Sequence, residues 1–143
     1  MLLSEYQKVA GIIIFIRKKN KDKFLILKNN KNKWDFPKGK VDKSESILKA
    51  SLRELYEETG IDNINIIDGF FEKIRYQDNK KSGKTTKKLA YFYLAKSNIS
   101  KVVLSDEHSN YKWFEYKKAL STLSYKSSKE LLKYAVIYLK KIK

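Results

Sequence analysis

A short apolar run near the amino terminus limits what this chain can build. Residues 10–16 read Ala-Gly-Ile-Ile-Ile-Phe-Ile, and this β-branched sequence favours a buried strand. The run has 7 residues, whereas a helix that crosses a bilayer needs about 20. No small-residue cleavage site follows it, so it is not typical of a secretory signal. We therefore expect a buried first strand in a cytoplasmic protein that does not contact the membrane.

Apolar runs and turn residues along the rest of the chain predict a mixed α/β domain. The first strand, over 5–17, turns through 18–22 into a second strand over 24–27, as in a hairpin. A basic linker is expected over 78–88. Four more apolar runs predict strands over 64–76, 89–95, 101–104 and 111–116. The carboxyl end predicts a helix, because one apolar stripe recurs at helical spacing in Leu131, Leu132, Ala135, Val136 and Leu139.

The middle of the chain predicts a loop followed by a helix. Pro37 and Gly39 exclude a central strand or a helix interior in the segment 34–39. Ser44 is a suitable N-cap for a helix over 45–58, and Gly60 stands where that helix should stop. Strands and helices thus alternate, which is typical of a layered α/β domain.

The charge of the chain points to a polyanionic partner. Its 32 Lys and Arg residues exceed its 16 Asp and Glu residues, which gives a net charge of +16. Such a charge attracts phosphates, nucleic acid or acidic lipid. A genome rich in Lys, Asn and Ile codons would produce the same number without any such partner. The absence of Cys excludes disulfides, zinc–thiolate sites and thiol nucleophiles.

Three glutamates of the predicted helix form a cluster that a structural helix would avoid. Glu54, Glu57 and Glu58 lie within an arc of about 100° when residues are placed at 100° intervals. Carboxylates at these spacings repel one another, and acids at a helix carboxyl end oppose its dipole. A bound divalent cation would relieve both costs. Hard oxygen ligands without Cys favour Mg²⁺ or Mn²⁺ over zinc.

The same helix carries a recognisable signature. Gly39, Glu45 and the run Arg53-Glu54-Leu55-Tyr56-Glu57-Glu58-Thr59-Gly60-Ile61 match every fixed position of the Nudix box, which here covers 39–61. The chain therefore resembles the Nudix hydrolases, which cleave a nucleoside diphosphate linked to another group. The resemblance implies one Nudix domain over 1–143, folded as an α/β/α sandwich around a central mixed β-sheet.

The resemblance also implies roles for the box residues. Glu54 and Glu58 would bind the metal, with Glu57 and the Gly39 carbonyl completing the site. Arg53 would pair with Glu45 and hold the loop on the helix. The implied chemistry is metal-assisted attack of water on phosphorus, with a carboxylate as base.

Residues outside the box resemble the asymmetric diadenosine tetraphosphate hydrolases within that family. The similarity runs from Trp34 through Pro37-Lys38-Gly39, and returns in Glu107-His108, Tyr111, Trp113 and Ala119. It implies that Lys38 reaches the polyphosphate and that Glu107 is a second candidate base or metal ligand. Tyr125, followed by Lys126, would contact the substrate by stacking on adenine. The opposite wall would come from one of four aromatic residues, Tyr76, Tyr91, Phe92 or Tyr93. Lys40 departs from the histidine common in these relatives.

Several alternatives follow from the same residues. The base is either Glu54 or a residue outside the box such as Glu107. The enzyme could instead cleave inositol pyrophosphates or RNA 5′ ends, or the domain could bind nucleotide or RNA without turnover. We expect a monomer with a dinucleoside polyphosphate as its substrate and nucleic acid as a secondary partner. His108 is expected beside Glu107 rather than on the metal, and Trp113 in the core. The basic segment 73–88 is expected to be a solvated loop, with a phosphate or RNA contact as the alternative.

Overall fold

The computed structural model describes residues 6–80 and 82–143, which form a mixed sheet of eight strands with helices on both sides. The strands are β1 (Gln7–Lys18), β2 (Lys21–Asn29), β3 (Trp34–Asp35), β4 (Lys38–Lys40), β5 (Ile64–Ile66), β6 (Glu72–Asn79), β7 (Thr85–Ser97) and β8 (His108–Phe114). The helices are α1 (Ile47–Thr59), α2 (Tyr116–Thr122) and α3 (Lys126–Lys141).

Strand β1 organises the sheet. It pairs in parallel with β7, from Gln7 opposite Lys88 to Phe15 opposite Lys96, and antiparallel with β2 and β4. Strand β8 extends the sheet beyond β2, and β5 and β6 both pair with β7. The parallel pair requires a long crossover, and α1 lies in that crossover. The predicted α/β class is confirmed.

Apolar side chains cover both faces of the sheet. One face packs against α2 and α3. The apolar stripe predicted for the carboxyl-terminal helix, α3, is buried at Leu131, Leu132, Ala135 and Leu139. The other face packs against α1 through Leu55, which contacts the layer of Ile12 and Ile14. Because each face of β1 is covered, its side chains are apolar without alternation. Helices on both faces give the α/β/α sandwich that the sequence predicted.

The start of α1 differs from the prediction. The N-cap is Ser46, whose side chain accepts a hydrogen bond from the Lys49 N–H at 3.1 Å, and the helix begins at Ile47. The predicted N-cap, Ser44, instead lies in the left-handed region with φ of 71°. Glu45 stays in the loop because its carboxylate binds the Asp42 N–H and Arg53. Gly60 ends the helix with φ of 74°, as predicted.

Three strand predictions also need correction. The run 64–76 is two strands, β5 and β6, separated at Gly69, where φ is 88°. Segment 101–104 is not a strand, since the Val103 N–H donates to the Thr59 carbonyl at the end of α1 rather than to the sheet. The basic linker predicted over 78–88 is strand at 78–79 and 85–88; Lys81 lies outside the described residues.

The remaining elements lie close to their predicted positions. Strand β1 runs to Lys18, and Glu5, where its start was predicted, lies outside the described residues. The strand predicted over 111–116 is β8, which ends at Phe114 because Tyr116 begins the short helix α2. No helix in the described part of the chain has both the length and the apolar character needed to span a bilayer.

Candidate active site

The loop before α1 lies tightly against the helix at Gly39. A β-carbon on Gly39 would overlap the carboxyl group of Glu54, so no larger residue fits without displacing that side chain. Strand β4 pairs Gly39 with Ala10 of β1, which fixes the loop to the centre of the sheet. The box glycine is therefore required for close approach of backbone and carboxylate.

Arg53 connects the loop to the helix. Its guanidinium donates two bonds to Glu45, at 2.7 and 3.0 Å, and one to the Lys40 carbonyl at 2.9 Å. It also donates to Glu54 at 2.9 Å and to Glu57 at 3.2 Å. The Glu45 bond and the other two carboxylates raise the pKa of Arg53, while Arg53 lowers that of Glu45 to about 2. The pair predicted between Arg53 and Glu45 is present.

Glu58 is the most buried carboxylate of the box, with 6% of its surface exposed. Its Oε1 accepts a hydrogen bond from the Lys38 N–H at 3.1 Å. Burial raises its pKa to about 8, and the negative charges of Glu54 and Glu107 add to that shift. Burial likewise raises the pKa of Glu54, although Arg53 opposes the shift. The charges of Glu54 and Glu107 thus disfavour the ionised form of the buried Glu58.

A cavity of about 560 Å³ opens above Glu58. Glu107 and His108 line one side of it, and Tyr76 and Tyr125 line another. Burial lowers the pKa of His108, partly offset by Glu107, so the ring is neutral near pH 7. The cavity brings together a carboxylate floor, two aromatic rings and cationic side chains.

Lys38 lies within about 6 Å of the ring centres of both tyrosines. Its Nζ is 4.6 Å from the centre of the Tyr76 ring and 5.9 Å from that of Tyr125, and it is 3.2 Å from the Tyr76 hydroxyl. The Lys38 Nζ also forms an ion pair with the Asp35 carboxylate at 3.0 Å. Burial disfavours the ammonium form, but Asp35 and Tyr76 outweigh that cost and raise the pKa of Lys38. Lys38 is therefore a permanent cation at the cavity wall.

Asp35 and Lys88 are among the cavity residues that the sequence analysis missed. Asp35 accepts a 2.6 Å bond from the Ser128 hydroxyl as well as the ion pair from Lys38, so it ties the start of α3 to the loop. Lys88 lines the cavity because the hairpin register sets it opposite Tyr76. Its pKa is lowered by burial, and Lys40 and Lys38 contribute to the shift. The signal in the sequence that could have found Lys88 was the pairing of neighbouring strands in a hairpin, which sets Lys88 opposite Tyr76.

Two predicted substrate contacts are corrected by the structure. Phe92 is buried in the core, with its ring 6.2 Å from Phe36, so it cannot form a wall for a base. Lys126 is exposed at the first residue of α3 and does not line the cavity. Tyr91 and Tyr93 contact Phe71 on the other side of the sheet. Tyr76 alone of the four predicted aromatic residues lines the cavity with Tyr125.

The oxygen donors of the box suit a hard divalent cation, but Glu57 is placed differently from the other expected ligands. No three His, Cys, Asp or Glu side chains within 6–80 and 82–143 stand close enough together to hold a metal ion. Of the expected carboxylates, Glu57 is 53% exposed and bonds Arg53, whereas Glu54 is 15% exposed and Glu58 lines the cavity. Mg²⁺ typically keeps several waters and uses one or two carboxylates plus substrate phosphates. Glu54, Glu58 and the Gly39 carbonyl fit that mode.

Comparisons with known proteins agree with this geometry. The bis(5′-nucleosyl)-tetraphosphatase [asymmetrical] of Sus scrofa is 34% identical over 137 residues, which cover 87% of this chain and 90% of that protein. An RNA pyrophosphohydrolase of Nitratiruptor is 35% identical over 122 residues, 76% of this chain and 77% of that one. The crystal structure of a C. elegans Ap4A hydrolase binary complex superposes with a TM-score of 0.83 at 32% identity, covering 94% of this chain and 98% of that one. The NUDIX domain model matches residues 5–135, and the chain belongs to the Nudix family.

Proposed function

We propose that the chain is a Mg²⁺-dependent asymmetric diadenosine tetraphosphatase, which hydrolyses diadenosine tetraphosphate to ATP and AMP. One observation carries the proposal: the Nζ of Lys38 lies 4.6 Å from the centre of the Tyr76 ring and 5.9 Å from that of Tyr125, in a cavity that Glu58 also lines. An aromatic pair suits an adenine base, and a cation beside the rings suits the phosphates attached to it. The curated relatives named for this activity share most of their length with the chain.

Different side chains of the protein would bind the base, bind the phosphates and accept the proton. Tyr76 and Tyr125 hold the adenine, and Lys38 and Lys88 hold the phosphate chain near the carboxylates. Glu54 or Glu107 accepts the proton of the attacking water. Water adds to one phosphorus, a P–O–P bridge breaks, and the released oxygen leaves with the other product, so that AMP and ATP are formed.

Glu54, Glu58 and the Gly39 carbonyl would hold the cation. A bound Mg²⁺ neutralises phosphate charge and lowers the pKa of a coordinated water. Arg53 keeps Glu54 and the loop at Gly39 in place through its bonds to Glu45 and the Lys40 carbonyl. Arg53 is a positioning residue in this scheme.

The direct experiment is turnover of diadenosine tetraphosphate by the purified protein with Mg²⁺, its products separated by chromatography. We expect equal amounts of ATP and AMP, and no turnover when the metal is removed with EDTA. Two molecules of ADP would overturn the asymmetric assignment, and no turnover would overturn the activity. Mn²⁺, supplied alone, tests whether the site prefers Mg²⁺. The cavity is complete within one chain, which supports a monomer; light scattering checks it.

A second candidate is hydrolysis of the 5′ pyrophosphate of RNA. The observation in its favour is the RNA pyrophosphohydrolase of Nitratiruptor, at 35% identity over 76% of this chain. A 5′-triphosphate RNA, a capped RNA and an inositol pyrophosphate belong in the same assay. An inositol pyrophosphate has no base to stack, so its rate should not depend on Tyr125. A kcat/KM for RNA above that for diadenosine tetraphosphate would reverse the order of the two candidates.

A further inference from the structure

The hairpin of β6 and β7 has a second face, turned away from the active-site cavity. In the pairing register Lys73 lies opposite Tyr91, and Arg75 lies opposite Leu89, which in turn pairs with Lys8 of β1. Directly opposed residues project to the same side of a sheet, and successive residues project to opposite sides. Ile74 and Tyr76, which face the core and the cavity, therefore lie on the other side from Lys73 and Arg75.

Aromatic rings lie on this second face. The Phe71 ring is stacked on Tyr91 with centroids 5.5 Å apart and an interplanar angle of 17°, and its centroid is 5.0 Å from that of Tyr93. Phe71 is 48% exposed even so. A large ring held by two neighbours and still open to solvent is a rigid platform, because its own packing restricts its rotation.

The rest of the face is cationic. Lys8, Lys73 and Arg75 are exposed. The acidic residues of β6, Glu72 and Asp78, alternate to the opposite side of the strand. We call Lys8, Phe71, Lys73, Arg75, Tyr91 and Tyr93 the outer hairpin face. Its strand residues include no Asp or Glu.

We propose that the outer hairpin face binds single-stranded nucleic acid. A base would stack on Phe71, and successive phosphates would be met by Lys73, Arg75 and Lys8. Stacking on a ring needs an unpaired base, and a base has such a free face only in a single strand. A free phosphate or a lipid headgroup would use the cations but would have no use for the exposed ring. The net charge of +16 favours the same partner over a protein or a neutral ligand.

None of the six residues of the outer hairpin face lines the hydrolytic cavity, although Tyr91 lies beside Ala10, which pairs with Gly39 of the box. Binding there does not depend on whether the cavity cleaves diadenosine tetraphosphate. The face would serve as an attachment surface for RNA or single-stranded DNA, whichever the cell supplies, while the cavity remains open to its own substrate.

Fluorescence anisotropy with a labelled 12-nucleotide strand tests the proposal. The strand carries a 5′-hydroxyl, and EDTA is present, so that the active site neither binds a 5′ phosphate nor cleaves it. We expect single-stranded RNA, single-stranded DNA or both to bind at least about 10-fold tighter than the corresponding duplex. Equal or tighter binding of the duplex would overturn the proposal, because stacking would then contribute nothing.

Two sets of variants separate stacking from charge. Phe71→Leu keeps an apolar side chain but removes the ring, and should weaken single-strand binding about 5- to 150-fold. Phe71→Trp should retain binding, which guards against a loss caused only by altered packing. Lys73→Gln with Arg75→Gln should reduce the slope of log affinity against log salt by about 1.4, since two phosphate contacts are lost. Unchanged affinity in Phe71→Leu would overturn the assignment.

Helix α3 offers matched controls. Tyr134 is 47% exposed, close to the 48% of Phe71, and Lys140 and Lys141 are exposed on the same helix. Tyr134→Leu removes an exposed ring, and Lys140→Gln with Lys141→Gln removes two charges, without touching the outer hairpin face. These controls should bind the single strand as tightly as the parent does. An equal loss of affinity in both sets would mean that net charge alone causes the binding, which would overturn the proposal. All variants should cleave diadenosine tetraphosphate within about twofold of the parent, so failure of either function is seen separately.

Discussion

The backbone N–H of Lys38 donates a 3.1 Å hydrogen bond to Oε1 of Glu58, so the residue that supplies the phosphate-side cation also steadies the buried carboxylate. The Lys38 side chain runs the other way, to Asp35 at 3.0 Å and to the Tyr76 ring. One residue therefore connects the helix of the Nudix box to the aromatic wall of the cavity. A shift of the 36–39 loop would disturb both at once.

Replacing Glu58 should almost abolish turnover. Groups that only support metal ligands are worth about 10- to 100-fold, so a carboxylate on the metal itself should cost more than about 100-fold in kcat for Glu58→Gln. Glu57→Gln is the control, because Glu57 contacts Arg53 instead of the cavity and should cost less than about 10-fold. Steady-state kinetics on both variants, with circular dichroism for the fold, measure the difference. Equal losses would mean that Glu57 is a ligand after all.

The metal-free protein should lose stability as the pH rises. Glu58 titrates near pH 8 in the folded chain and near its ordinary value of about 4.3 when unfolded. Between these values the folded state holds the extra proton, so the contribution of Glu58 to stability is greatest below about pH 4.3, falls through this window, and levels off above pH 8. At about 1.4 kcal/mol per pKa unit the total is a few kcal/mol. Urea unfolding in EDTA should show this slope, and Glu58→Gln should flatten it. A parent curve as flat as that of the variant would show that burial does not shift Glu58.

Arg53→Lys should slow catalysis although the charge is kept. A lysine cannot bond Glu45 through two donors and also reach the Lys40 carbonyl, so the loop at Gly39 should loosen and kcat should fall about 10- to 100-fold. Arg17 gives a matched control. Its ion pair with Asp22 has the same 2.7 Å distance, and its side chain is 30% exposed against 29% for Arg53. Arg17→Lys should leave kcat unchanged; a similar loss there would exclude a specific role for Arg53.

Tyr125→Ala should raise KM for diadenosine tetraphosphate about 5- to 150-fold and change kcat less, because one stacking surface is lost. Tyr125→Phe should restore the parent value, since the ring and not the hydroxyl is used. Tyr134→Ala removes a ring of similar exposure, 47% against 40%, from a part of α3 that does not line the cavity. No change of KM in Tyr125→Ala would remove adenine stacking from the proposal.

The N-cap of α1 can be tested by stability alone. Ser46→Ala removes the bond to the Lys49 N–H and should lower the free energy of unfolding by about 1 kcal/mol. Ser44→Ala should cost less than about 0.5 kcal/mol, because its side chain does not cap the helix. Thermal or urea unfolding at constant pH compares the two. A larger loss from Ser44→Ala would restore the helix start that the sequence suggested.

The sequence by itself determined the helix of the box and the chemistry it carries. Glu54 and Glu58 share a face because the helical period is local, and Gly39, Arg53 and Glu45 belong to the same short segment. The pairing of Arg53 with Glu45, which the resemblance to the Nudix hydrolases implied, is present in the structure. The apolar runs likewise determined the layered α/β class, because the pattern of apolar residues in a strand or helix indicates which of its faces is buried.

Only the tertiary structure decided which neighbours face the cavity. Successive residues of β7 face opposite sides of the sheet, and the pairing of β7 with β1 turned Phe92 into the core. The pairing of β7 with β6 set Lys88 opposite Tyr76 at the cavity. The bridge from Ser128 through Asp35 to Lys38 depends on segments far apart in sequence. Strand pairing and packing between distant segments are non-local, so a single sequence cannot specify them residue by residue.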